Sequence, residues 1–187
     1  MTDRSRENKR DITIEHVDSI DRENVEITID IELLRSTVNP EQTARLRITT
    51  TNTGASRNLR HGPNRCSLFN RNDGASDPPG LWLHPPGAKK WIDRANNRWT
   101  RDANPEKPRT FDASVCPLHP YKSGESVSND YLVWDDYRTP GYMKPGTYRF
   151  ERNVPVYEYE ESPSPLPEHT QYPGFRWGFE IRVHSDE

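Results

Sequence analysis

The chain has two cysteines and two methionines in 187 residues, and only 6 of its 26 basic residues are lysine. Two cysteines are too few for a four-cysteine zinc knuckle or for a scaffold held mainly by disulfides. Nowhere does the sequence reach the run of about 18 uncharged apolar residues that a membrane-spanning helix needs. Leu, Ile, Val and Phe together number 33 of 187, just under the roughly one-fifth share below which disorder becomes a serious option. Against that, the formal net charge is only −3, and five Trp and eight Tyr supply large surfaces to bury, so a folded domain with generous loops is expected. No stretch of ten residues carries apolar side chains at helical spacing. Also missing are the G-x-S-x-G nucleophile elbow, the H-E-x-x-H zinc helix and the phosphate-cradling P-loop, so no sequence signature assigns a reaction.

What is present is an alternation of period two. In "NVEITIDIEL", Val25, Ile27, Ile29, Ile31 and Leu33 alternate with polar residues, the pattern of a strand buried on one face. "TARLRITTTN" repeats it with Ala44, Leu46 and Ile48, and the turn chemistry of "NPEQ" lies between the two, which predicts a pair. "KPGTYRFE" sets a Pro-Gly turn before Tyr148 and Phe150, and "GFRWGFEIRV" places Phe175, Trp177, Phe179, Ile181 and Val183 on one side. "ESVSNDYLVWDD" is a strand by its Val, Tyr and Trp content, with a slip of phase near Tyr131 that predicts a bulge. "DITIEHV" and a short "LWLH" or "TFDASV" bring the total to about seven strands. Ile27, Ile29, Leu46, Ile48, Tyr148, Phe150, Trp177, Phe179 and Ile181 are expected to share one core. The fold class is therefore all-β, an antiparallel immunoglobulin-like sandwich. Residues 1–10 are expected to form a flexible tail before a single domain over 11–187, and seventeen prolines and ten glycines punctuate its loops.

The segments "ARLRITTTNTG", "SGESVSNDYLVWDD", "KPGTYRFE" and "WGFEIRV" together resemble small immunoglobulin-like sandwich proteins of halophilic archaea, many of them similar to cell-envelope lipoproteins. The likeness covers about residues 24–52 and 110–184, and the preference for arginine over lysine accords with it. The resemblance implies a sandwich fold and an envelope habitat, and no activity. The terminus "MTDRSRENKRD" carries no apolar stretch of the lipoprotein or secretory kind, so the expected location is cytoplasmic by the terminus, with the cell envelope as the alternative.

Residues 53–109 form a segment too long for an ordinary sandwich connection and are expected to be an irregular insertion. From Arg57 to Arg109 eleven basic residues face five acidic ones, a balance of +6 that leaves −9 on the rest of the chain. Trp82, Trp91 and Trp99 also lie here. With Arg94, Arg98 and Arg101 they are the candidate binding residues, since loops on a rigid scaffold are where such folds commonly carry function. The acidic pair Asp135 and Asp136 and the run "YEYEES" at 157–162 read as solvated strand ends.

Cys66 lies early in the insertion and Cys116 just past its end, so a disulfide between them would pin the segment to the sandwich. That is the favoured reading. The alternatives are two free buried thiols, a metal site of His61, Cys66, Cys116 and His119, and a cysteine nucleophile with His119 as base. The expected function is a non-catalytic interaction module that binds a protein partner through residues 53–109. Its alternatives are a glycan or polyanion binder and a metal-dependent enzyme built on His61, Cys66, Cys116 and His119. No cofactor, metal or catalytic residue is expected. The expected partner is an acidic protein surface or an anionic glycan; duplex nucleic acid does not suit an acidic chain with no groove-reading element.

Overall fold

The computed structural model describes residues 8–20, 25–87, 92–93, 97–101, 104–106, 116–160 and 172–185. Its strands are β1 (Arg10–Val17), β2 (Ile27–Arg35), β3 (Thr37–Val38), β4 (Arg45–Asn52), β5 (Arg57–Leu59), β6 (Leu81–His84), β7 (Ile92–Asp93), β8 (Arg98–Arg101), β9 (His119–Tyr121), β10 (Ser126–Asp135), β11 (Gly146–Glu158) and β12 (Tyr172–Ser185). Two short 3-10 turns, Asn64–Cys66 and Arg71–Gly74, are the only helical elements among the described residues. One sheet runs β3-β1-β12-β11-β5-β9 and the other β2-β4-β10-β8-β7, with β6 also paired to β10. This is an all-β sandwich. It is antiparallel apart from the β8–β10 pairing, which is parallel.

All nine residues expected to share one core do so. β2 and β4 pair antiparallel from Ile27↔Asn52 to Arg35↔Arg45, as the turn between them implies. β12 is the spine of its sheet, pairing with β1 on one side and β11 on the other. Phe175, Trp177, Phe179, Ile181 and Val183 are all buried, so the clearest alternation in the sequence marks a strand paired on both edges.

Two expectations need correction. The slip of phase near Tyr131 is not a bulge: β10 pairs with β4 without a break from Ser126 to Leu132. Its last residues are instead covered on both sides. Tyr131 and Val133 enter the central core, while Trp134 packs on the outer face against His84 and Trp99, with ring centroids 4.2 and 6.4 Å away. A strand end buried on both faces loses alternation without changing register.

The second correction concerns residues 53–109, which are not an irregular insertion hung on the sandwich. β5 joins β11 and β9 in one sheet, and β6 and β8 join β10 in the other. β5, β7 and β8, with the short β3 and β9 outside this segment, take the strand count past seven. "TFDASV" lies outside the described residues.

Candidate functional site

The segment from Leu59 to Gly74 builds a cleft against β11. After β5 the chain turns at Gly62, whose N–H donates to the Cys66 carbonyl at 2.8 Å. The His119 ring packs so closely there that a side chain at 62 would meet its Cγ at 2.8 Å, and glycine is the residue that permits the approach. Cys66 and Cys116, 50 positions apart in sequence, are joined by a disulfide with Cα atoms 5.4 Å apart. Three residues on, Phe69 turns into the core with no exposed surface. Its ring stands edge-on to Tyr131 of one sheet at 6.2 Å and to Phe150 and Phe179 of the other at 6.3 and 5.6 Å. Its backbone N–H donates to the Tyr131 hydroxyl at 3.2 Å. Disulfide and plug therefore hold this stretch against both sheets.

Between it and β11 lies a cavity of about 330 Å3, whose lining includes Arg60, His61, Arg71, Asp73, Arg152 and Cys116, a volume at the small end of ligand sites. Arg152 stands in the same phase as Tyr148, Phe150 and Val154, an arginine where the alternation calls for an apolar residue. It donates to Asp73 at 2.6 Å, and its Nε is buried with no hydrogen-bond partner among the described residues. Burial pushes the Asp73 carboxyl above its ordinary value, opposed by Arg152 and Arg71. Arg60 donates to the Tyr157 hydroxyl at 3.2 Å and lies over that ring.

Arg71 has φ 51°, a left-handed backbone that glycine or asparagine adopts more cheaply than arginine. His61 is buried, with Nε2 3.1 Å from the Thr50 hydroxyl. Burial, then the positive charges that His119 and Arg152 can present, lower its pKa to about 4, so it is a neutral wall at pH 7.

The predicted binding residues fall elsewhere. Trp82 is 1% exposed, and its indole N–H donates to the Arg71 carbonyl at 2.8 Å, the arrangement of an anchor and not of a stacking platform. Trp99 is partly buried; its indole N–H donates to the Asn39 carbonyl at 2.7 Å. Arg98 and Arg101 lie over the rings of Tyr142 and Tyr137, 5.5 and 5.9 Å from the centroids. Trp91 and Arg94 lie outside the described residues.

His61, Cys66, Cys116 and His119 do gather in one place. The two sulfurs are spent on the disulfide, though, and no group of three or more potential metal-ligating side chains occurs among the described residues. Asp135 and Asp136 are not solvated: they are 7% and 2% exposed. Asp135 accepts the Met143 N–H at 2.7 Å, and burial raises its pKa to about 6. Asp136 accepts the Arg138 N–H at 3.2 Å and so closes a turn.

No protein-family model, curated protein or solved structure matches the chain. Sequence reasoning missed the cleft because its parts are 92 positions apart, from Arg60 to Arg152. One signal was available in Arg152, a charged residue in the inward phase of a strand.

Proposed function

We propose that the chain is a non-catalytic, immunoglobulin-like interaction module that binds an acidic protein surface through the basic segment 53–109. One observation carries the reading: β8 holds Arg98, which is exposed, over the ring of Tyr142, 5.5 Å from its centroid. An exposed guanidinium stacked on an aromatic ring, as Arg98 is, can present its N–H edge to a carboxylate and loses less freedom on binding than a loose lysine would. The +6 balance of the segment within a chain of net −3 favours acidic partners at its exposed arginines. The glycan alternative draws less support, because Trp82 is buried and Trp99 is tied to the Asn39 turn.

The test is binding to immobilised polyglutamate, with a sulfated glycan in parallel, from roughly 0.05 to 0.3 M salt. Polyglutamate should be retained at low salt and released as salt rises. Arg98→Glu should weaken retention at least about threefold while the melting temperature moves by no more than about 2–4 °C, as for a surface change. Retention undiminished by the change, or none at any salt, overturns the proposal; retention of the glycan alone transfers it to the alternative.

A further inference from the structure

We propose that the outer edge of β2 is a docking site for an extended basic segment of a protein partner, which adds to the sheet as one more antiparallel strand. The surface lies outside residues 53–109 and does not depend on the acidic-partner reading.

The two sheets end in four strands, β3 and β9 in one and β2 and β7 in the other. β3 and β7 are two residues long, and β9 is three residues long with Pro120 in its middle. Short strands and proline close a sheet edge to further pairing. β2 has neither device. It runs nine residues without proline, pairs with β4 on one side, and has no strand on its other side among the described residues. Its ladder with β4 is regular from Ile27 to Leu33 and shifts only between Leu33 and Arg35. Beyond that shift the chain crosses to the other sheet, where Ser36 accepts the Ile12 N–H at 3.0 Å. The open stretch is therefore Ile27–Leu33.

The hydrogen bonds fix which backbone groups face outward. Thr53 donates to the Glu26 carbonyl, while Asn52, opposite Ile27, donates away from β2 to Glu125. That phase alternates along an antiparallel ladder, so Thr28, Asp30 and Glu32 bond to β4, and Ile27, Ile29, Ile31 and Leu33 present N–H and C=O groups to the open side. An added strand would pair with these groups, the mode by which extended peptides join a sheet.

The side chains specify the added strand. Ile31 and Leu33 are half-buried against the core, and apolar residues on the inner face of a new strand would complete their cover. On the outer face Asp30 and Glu32 are exposed. Arg47, opposite Glu32 in register, turns instead to Asp130 of β10, donating at 2.8 and 3.2 Å. Lysine or arginine at alternate positions of the new strand would face the two acids, and opposite charges across strands are stabilising. A second copy of β2 paired antiparallel about Ile31 would set Asp30 against Glu32, a like-charge contact that disfavours this edge as a dimer seam.

The probes are a labelled peptide of alternating valine and lysine matched in length to Ile27–Leu33, its glutamate counterpart, and the lysine peptide N-methylated throughout. Each is titrated with the oxidised full chain and followed by fluorescence anisotropy. The lysine peptide should bind one to one. Its N-methylated form, which keeps the charge but cannot donate to a ladder, should bind at least about tenfold more weakly. Asp30→Lys with Glu32→Lys should weaken the lysine peptide about tenfold, the scale of two cross-strand charge pairs made repulsive, and strengthen the glutamate peptide. The melting temperature should move by no more than about 2–4 °C, since both positions are exposed. Absence of binding by the lysine peptide, equal binding of its N-methylated form, or unchanged affinity in the double variant would each overturn the proposal. A dimer of the native chain that the lysine peptide disperses would overturn it too, because the edge would then belong to a second copy.

Discussion

Asp135 shows what a single residue gains and loses by its position. It is 7% exposed and accepts one backbone N–H from Met143 at 2.7 Å, while burial, with a smaller contribution from Asp136, lifts its pKa to about 6. An unfolded aspartate titrates near 3.9. The folded state thus favours the protonated carboxyl. The stability this group contributes is complete below about pH 4 and declines as pH rises through 6. Asp135→Asn keeps an acceptor for Met143 and removes the charge. It should therefore stabilise the fold at pH 7.5 by about 2–3 kcal/mol and change it little at pH 4. Urea unfolding at the two pH values checks this, and a substitution equally neutral at both would show that the ionised carboxyl is well solvated.

At the scale of elements, the connection between β5 and β6 behaves as part of the core. Phe69 is fully buried between the sheets, touching rings from β10, β11 and β12, and the disulfide anchors its neighbour Cys66. Phe69→Ala should cost about 3–5 kcal/mol, the range for a large core aromatic. Reducing the disulfide, which closes a loop of 50 residues, should cost about 4 kcal/mol by chain entropy. Both losses are read from denaturant melts. Because the two devices restrain the same stretch, the loss from Phe69→Ala should differ between oxidised and reduced protein; strictly additive losses would mean that they act on separate parts of the fold.

Over the whole molecule, the basic segment and the acidic remainder should unfold as one cooperative unit, since strands from 53–109 enter both sheets. Trp82, in this segment, and Trp177, in β12, are both fully buried and would report on different regions. Tryptophan fluorescence and far-UV circular dichroism should therefore follow the same unfolding curve, as in a two-state domain. A fluorescence change that runs ahead of the dichroism would mean that the segment detaches first and that its strands add little to the sheets.

The sandwich was legible before any coordinates because period-two alternation is a local property. Ile27 and Ile29, or Trp177, Phe179 and Ile181, announce a buried face from within one strand. The phase slip at Tyr131 was legible as an irregularity but not as its cause, since the cover over Trp134 comes from His84 and Trp99, 50 and 35 positions away in sequence. For the same reason the burial of Asp135 and Asp136, the Phe69 plug and the meeting of Arg60, Arg71 and Arg152 in one cleft were not visible in the sequence. The pairing of Cys66 with Cys116 was, because a chain with two cysteines has one possible internal bridge. By itself, then, the sequence determined the all-β class, the core face of each long strand and the one available disulfide. Which charged residues lie inside, and which arginines share a cavity, the tertiary structure alone decided. Those depend on desolvation and proximity between distant segments, and no local pattern encodes either.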